Sequence, residues 1–215
     1  MGSPSNPNHD ESGFARLETA DGLEVLVRLG TVDDEKLLVE GFEQLSDLSR
    51  YNRFFAATPH LSRSTVDHLL DVGADHVVLV ALTRDDRGGS RFPAGGIRAV
   101  WLDDEPGTAE LAVTVIDAYQ GRGLGTLLTA ALAAVVAEQG ITTLSAEVLA
   151  VNEPMLGVLR SFGAVLQRHP DNANVITARL DTGVASARLP HQERTDLLTA
   201  TTRAERTRST ATEPS

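Results

Sequence analysis

The chain has 215 residues, 41% of them hydrophobic, and a formal net charge of −11 at pH 7. This length suits one domain with a substantial core, while the acidic balance argues against nucleic acid and anionic membranes as partners, because both need a basic face. The absence of cysteine excludes disulfides, thiolate metal sites and a cysteine nucleophile. The six histidines are scattered singly, so no metal is expected.

The two ends of the chain differ in composition from its middle. Residues 1–22 are rich in Ser, Pro, Asn and acidic residues, and residues 181–215 carry no sustained apolar face. We expect a disordered arm over 1–22, a folded domain over 23–180, and a mostly disordered tail over 181–215. The N-terminus lacks the basic start and apolar stretch of a signal peptide, which predicts a cytoplasmic protein.

The first elements predicted are one strand and two helices. Residues 24–29 alternate apolar and polar side chains, as a half-buried strand does. Thr31 is expected to cap a helix that continues to about Leu48. Residues 49–61 are expected to form a loop, after which Ser62 or Ser64 caps a short second helix that ends near Gly73.

Three strands follow, joined by turns. Residues 76–83 are strongly apolar, residues 95–102 form the next strand, and residues 108–116 form the third. Turn-forming residues occupy 85–90 and 105–107. Short turns between successive strands predict antiparallel pairing in this part of the sheet.

The last part alternates helices and strands. Residues 123–139 carry an apolar stripe typical of a helix, which Gly140 ends, and residues 142–150 form a strand. Asn152 is expected to cap another helix. Residues 164–169 and 174–180 complete the sheet.

A glycine-rich run, Gln120-Gly121-Arg122-Gly123-Leu124-Gly125-Thr126, lies between a predicted strand and a predicted helix. Glycines permit a tight bend, the first N–H groups of the helix have no intrahelical acceptors, and the arginine adds positive charge. The run therefore predicts a diphosphate site. It is not a Walker loop, because Gly-Lys-Ser/Thr is missing, and it lacks the third glycine of the dinucleotide-binding fingerprint.

Several motifs occur in the order that one enzyme family uses. They are AELAVTV at 109–115, YQGRGLG at 119–125, NEPM at 152–155 and FGA at 162–164. In this order the chain resembles the GCN5-related N-acetyltransferase (GNAT) family, and RYNRFF at 50–55 is similar to bacterial protein lysine acetyltransferase catalytic domains. The resemblance implies an α/β (α+β) fold with a mostly antiparallel sheet of six to seven strands, splayed between the fourth and fifth strands and flanked by about four helices.

The resemblance also implies a ligand, acetyl-CoA. Its pyrophosphate would lie on the N–H groups of the glycine-rich run, and its pantetheine arm would pair with the fourth strand like an additional strand. The residues implied in binding are Val113, Val115, Gln120, Gly121, Arg122, Gly123, Leu124, Gly125, Thr126 and Asn152. Without the resemblance, the glycines could form an ordinary tight turn, and Asn152 could be a plain helix cap.

Acetyl transfer to an amine needs a proton acceptor, because an amine of pKa about 10.4 is almost wholly protonated at neutral pH. Glu110 matches the general base of the protein-acetylating branch, whereas without the resemblance it could be a solvated strand residue. Ala112 and Thr114 lie on the same side of the strand and are small, which leaves an open face for the acceptor. Glu147 on the next strand is the second candidate. The tyrosine acid of many family members is replaced here by Leu159.

The acceptor side is assigned to the loop after the first helix. Arg50 and Tyr51 are expected to line its entrance, whereas Phe54 and Phe55 are expected to anchor it in the core. The predicted function is acetyl-CoA-dependent acetylation of an amine, with a protein lysine as the leading acceptor. Two alternatives remain open, a small-molecule amine acetyltransferase and an acyl-CoA-binding regulatory module without turnover.

Overall fold

The chain forms one eight-stranded sheet. A computed structural model describes residues 13–70, 73, 75–84 and 91–211. The strands are β1 (Ala15–Glu18), β2 (Glu24–Leu29), β3 (His76–Arg84), β4 (Arg91–Trp101), β5 (Thr108–Val115), β6 (Thr143–Leu149), β7 (Val165–His169) and β8 (Asn172–Asp181). Their order in the sheet is β1-β2-β3-β4-β5-β6-β8-β7. Every neighbouring pair is antiparallel except β5 and β6, which confirms the predicted mixed, mostly antiparallel α/β fold with one or two more strands than expected.

Helices cover both faces of the sheet. They are α1 (Glu35–Glu43), α2 (Asp47–Phe54), α3 (Arg63–Leu69), α4 (Leu124–Ala137), α5 (Glu153–Ser161), α6 (Thr182–Ser186) and α7 (His191–Ala211). Eleven of the fourteen residues of α4 are buried, as expected for a helix that is apolar on every side. The main core lies between α4 and the sheet, and a smaller cluster around Phe42 lies under α1 on the other face.

The predicted helix from Thr31 to Leu48 is wrong in its length. Helix α1 ends at Glu43, and Ser46 begins a second helix, α2, by accepting a hydrogen bond from the N–H of Ser49 at 3.2 Å. Half of the predicted loop at 49–61 is therefore helical. A second N-cap signal restarts the helix in a new direction, which periodicity alone does not reveal.

The expectation of disorder is wrong for part of each end. Strand β1 lies within the predicted arm, where Ala15 and Leu17 are 1% exposed and pair with β2. Helices α6 and α7 lie within the predicted tail, and Leu197 of α7 is fully buried against the main core. The apolar residues of these end segments are few and separated by polar ones. The overall composition therefore did not indicate that a narrow stripe of them is buried.

The other predicted elements are confirmed with small shifts at their ends, the largest at β4, which begins four residues before the expected 95. The predicted turn at 85–90 lies outside the described residues. Over the residues that the structure covers, no helix is both long and apolar enough to cross a membrane.

Candidate active site

The sheet opens between β5 and β6. The two strands pair in parallel only from Thr108 opposite Thr143 to Glu110 opposite Ser145. Beyond that point β5 continues along β4 to Val115, and β6 continues along β8 to Leu149. A wedge-shaped gap therefore begins immediately after Glu110, at the position where the sequence analysis predicted the splay.

One backbone edge of β5 faces this gap. The N–H of Ile116 donates to the carbonyl of Ala94 on β4 at 2.9 Å. Because backbone groups alternate in direction along a strand, Val113 and Val115 direct their N–H and C=O groups away from β4 and towards the gap. The Val115 carbonyl accepts a hydrogen bond from Gln120 Nε2 at 3.0 Å, which leaves Val113 as the unobstructed position for an added strand.

The glycine-rich run forms the turn between β5 and α4. Gly121 and Gly123 have φ angles of +73° and +82°, a conformation that residues with a Cβ rarely adopt. The first helical hydrogen bond runs from the N–H of Leu127 to the carbonyl of Gly123 at 3.0 Å. The N–H groups of residues 123–126 therefore have no acceptor within the helix, which is the arrangement that the predicted phosphate site requires.

Gly125 has no such conformational requirement. It lies inside α4, and a Cβ there would meet Val158 and Val115 at 3.7 and 3.9 Å, which are ordinary contact distances. What its small size provides is close packing of α4 against α5 and β5. Only the first two glycines of the run are needed for the bend itself.

Two side chains of the predicted phosphate site make intramolecular contacts. Gln120 Nε2 donates to Ser49 Oγ at 3.0 Å and to Asp117 Oδ1 at 3.1 Å. Arg122 Nε donates to Asp21 Oδ2 at 2.7 Å. A hydrogen bond from Thr19, followed by that from Arg122, lowers the pKa of the Asp21 carboxyl. The positive charge expected from Arg122 is therefore partly neutralised by Asp21.

A cleft of about 230 Å³ occupies the gap. It is lined by residues 52–55 at the end of α2, residues 110–113 of β5, residues 146–148 of β6, and Asn152 and Met155 around the start of α5. The cleft therefore brings the predicted base, the free edge of β5 and the predicted amide ligand into one site.

Glu110 is exposed in this cleft. Glu147 is also exposed there, and its Oε1 lies 3.4 Å from His169 Nε2. Arg53 borders the same space. Burial lowers the pKa of Arg53, and the charge of Arg98 lowers it further, while Glu110 acts in the opposite sense. The cleft thus combines two carboxylates with one desolvated guanidinium.

Asn152 is a helix cap that also faces the cleft. Its Oδ1 accepts a hydrogen bond from the N–H of Met155 at 3.2 Å. This leaves the Nδ2 amide group as a donor for a ligand in the gap. Capping of α5 and a hydrogen bond to a ligand are therefore compatible roles for Asn152.

Arg50 and Tyr51, which were predicted to line the acceptor entrance, do not border the cleft. Arg50 donates to the carbonyls of Phe42, Glu43 and Pro59, and its guanidinium lies 4.4 Å from the centre of the Phe42 ring. Tyr51 is 44% exposed. Among the described residues that border the cleft, neither is present. Arg50 instead holds α1, α2 and the following loop together.

The expected core position of Phe55 is wrong. The residue was expected to anchor the loop in the core, but it is 37% exposed and lines the cleft. It ends α2 with a φ angle of +57°, which is uncommon and costly for a large side chain. The N-cap signal at Ser46 could have indicated that this segment is helical, but no local pattern predicts the left-handed residue that ends the helix.

No tyrosine hydroxyl among the described residues borders the cleft. Leu159, at the position of the family's tyrosine acid, is fully buried in the core. The hydroxyl of Tyr119 is 2.9 Å from Thr83 Oγ1 on the other side of β5. Over the residues that the structure describes, no group of three or more metal-binding side chains is placed to hold an ion.

Comparison with known proteins agrees with this geometry. Residues 43–164 match the Acetyltransferase (GNAT) family. The chain is 30% identical over 161 residues to Acetyltransferase PA5475 of Pseudomonas aeruginosa, covering 74% of this chain and 85% of that protein. It is 31% identical over 153 residues to Acetyltransferase Pat of Mycolicibacterium smegmatis, covering 69% of this chain but only 43% of that protein.

Solved structures have the same architecture. The GNAT domain of S. lividans PAT superposes with a TM-score of 0.70 and 33% identity, covering 82% of this chain and 99% of that domain. Spermidine N-acetyltransferase from Vibrio cholerae shares the fold, with a TM-score of 0.58 and 13% identity, covering 75% of this chain and 97% of that chain. With the splayed strands, the glycine turn and the family match together, this chain belongs to the GNAT family of acetyltransferases.

Proposed function

We propose that this protein transfers the acetyl group of acetyl-CoA directly to an amine, and that the amine is a lysine side chain of a protein. The observation that carries the proposal is the position of Glu110, at the point where β5 and β6 separate. The glycine turn lies beyond the other end of the same β5 edge. A donor lying along that edge would therefore present its reactive end beside a carboxylate.

The proposed donor site uses backbone groups more than side chains. The pyrophosphate of CoA is assigned to the N–H groups at the start of α4, the pantetheine arm to the edge of β5 at Val113, and an additional hydrogen bond to Asn152. The V. cholerae fold neighbour, whose structure contains CoA and spermine, supports CoA as the ligand class. Gln120 and Arg122 are proposed to shape the loop, in agreement with their intramolecular contacts.

The proposed chemistry follows from the groups in the cleft. Glu110, directly or through one water, takes a proton from the acceptor ammonium. The freed nitrogen attacks the thioester carbonyl carbon, so that a C–N bond forms, the C–S bond breaks, CoA leaves as a thiolate, and the nitrogen loses its second proton to solvent. Leu159 cannot donate a proton, and solvent therefore protonates the thiolate. Transfer is direct, since the chain has no cysteine to carry the acetyl group.

The protein-lysine acceptor is supported by the similarity to the PAT domain and by the exposed mouth of the cleft at Phe55. A small polyamine is the second candidate. The observation that favours it is the pair of exposed carboxylates, Glu110 and Glu147, bordering one cleft, because two negative charges suit an acceptor with two positive charges.

An acceptor screen separates these candidates. The protein is incubated with acetyl-CoA and either a cell extract digested afterwards for mass spectrometry or a series of purified amines, while CoA thiol release is followed. Acetyl-lysine in proteins, with slow turnover of free amines, is the expected result. Fast turnover of polyamines alone would select the second candidate, and tight acetyl-CoA binding without thiol release would indicate a binding module.

Substitution of Asn152 is expected to separate its two roles. Asn152→Asp keeps an oxygen acceptor for the N–H of Met155 but removes the amide donor, so folding stability should be retained while the KM for acetyl-CoA rises about 2–10-fold. Asn152→Ala should additionally lower stability by about 1 kcal/mol through loss of the cap. Thermal unfolding and steady-state kinetics measure the two effects. An unchanged KM in both variants would show that Asn152 only caps the helix.

A further inference from the structure

A second, apolar cavity lies beside the proposed active site. It is a partly open cavity of about 130 Å³, bounded by helices α1, α2 and α3 and the face of the sheet opposite α4. Leu37, Gly41 and Phe42 of α1 line one side, and Ala112 and Thr114 of β5 line another. The lining is almost wholly apolar, so the cavity suits a hydrocarbon group better than a polar one.

The cavity adjoins the cleft. Arg53, Phe54 and Ala112 line both of them. Ala112 lies on β5 between Glu110, the proposed base, and Val113, whose backbone faces the gap. The junction is therefore at the place where the proposed function puts the thioester carbonyl.

Several of the residues that line the cavity are small. Ala112 is at the junction, and Gly41 lies in α1, where a Cβ would meet Pro93 Cβ at 3.5 Å and Ile116 Cδ1 at 3.6 Å. Those are ordinary contact distances, and the φ of Gly41 is not positive. The chain therefore does not need glycine there for its backbone conformation, and the residue's small size contributes to the free volume instead.

The charged residues that border the cavity are compatible with an apolar occupant. Asp34 is bound to Arg28, with Oδ1 and Nη2 2.6 Å apart. Arg53 and Arg98 have aliphatic stems that can pack against hydrocarbon. An apolar cavity of about 150 Å³ is large enough to hold benzene and otherwise stays dry. A hydrocarbon group of similar size is therefore the appropriate ligand class.

We infer that the cavity receives the acyl chain of a CoA thioester longer than acetyl, with an aliphatic chain of about four to six carbons. This inference rests on the proposed function for the position of the thioester. The occupant is the donor's chain and not the acceptor, because a lysine on a protein surface enters from the exposed mouth of the cleft at Phe55, whereas the cavity lies inward of Ala112. The acceptor and the proposed base would be the same as in acetyl transfer.

Binding of acyl-CoA without any acceptor tests the inference. Isothermal titration with acetyl-CoA, butyryl-CoA and hexanoyl-CoA should give a Kd that falls with chain length, by about tenfold or more between acetyl-CoA and hexanoyl-CoA. The heat-capacity change of binding should become more negative in the same order, since more apolar surface is buried.

Filling the cavity should remove this preference. Gly41→Leu is expected to weaken hexanoyl-CoA binding about tenfold or more while leaving acetyl-CoA binding within about twofold. Leu37→Phe fills the same space without changing a glycine and should act in the same direction if Gly41→Leu does not fold. Gly157→Leu is the matched control, because a Cβ at Gly157 has no atom within 4 Å, and it should leave every Kd unchanged.

The outcomes separate the inference from the proposed function. Equal affinity for all three thioesters, or a preference for hexanoyl-CoA that survives both filling variants, would overturn the acyl-chain site and leave acetyl-CoA binding intact. Failure to bind any of the thioesters would overturn both. If acyl-CoA binding follows the expected order but no protein lysine is modified, the donor assignment stands and only the acceptor is wrong.

Discussion

Replacing Glu110 by glutamine is expected to lower kcat about 10²–10⁴-fold, the usual contribution of a general base. Glutamine has the same size and is not a proton acceptor at neutral pH. Because Glu110 is exposed, the substitution should change folding stability by no more than about 0.5 kcal/mol. The Kd for acetyl-CoA should also be unchanged, since its proposed contacts lie on the β5 edge and the glycine turn. Thiol-release kinetics with saturating acceptor measure the loss.

Glu147→Gln is the matched control for this prediction. Glu147 lines the same cleft and is also exposed, so a general electrostatic effect of removing one carboxylate should appear in both variants. A loss of kcat confined to Glu110→Gln identifies the base. If Glu147→Gln loses kcat and Glu110→Gln does not, the roles proposed for the two carboxylates are reversed.

Truncation of Leu197 to alanine is expected to lower the free energy of unfolding by about 2–5 kcal/mol, as for other buried leucines. Leu197 is fully buried in the main core, and α7, which carries it, packs against β1, β2 and α4. A loss of this size would show that the C-terminal helix is part of the folded domain. Chemical denaturation monitored by circular dichroism gives the value.

Thr202→Ala on the same helix is the control for this prediction. Thr202 is exposed, so its truncation should change stability by no more than about 0.5 kcal/mol. If Leu197→Ala were as mild as Thr202→Ala, the helix would contribute little to the core, and the tail would behave as its composition suggests. That result would also restore the domain boundary expected at residue 180.

Local sequence patterns were sufficient to predict most strands of the sheet. The alternation in residues 24–29 and the apolar segments at 76–83, 108–116 and 142–150 correspond to strands, because side-chain period and burial are coupled within a few residues. The same patterns failed between Thr31 and Leu48. There, the apolar stripe ends with α1, and Ser46 begins a second helix that carries no buried residue.

By itself, the sequence determined the motifs and their order: the strand before the glycine turn, the turn's two positive-φ glycines, Glu110 and the cap at Asn152. These depend on local chemistry, since a bend that needs glycine or a helix that needs a cap is specified by adjacent residues. The tertiary structure determined which residues from different parts of the chain lie close together. It placed Phe55 in the cleft, assigned Arg50 to holding α1 and α2, and buried Leu197. These outcomes depend on contacts between residues distant in the chain, which no local pattern contains.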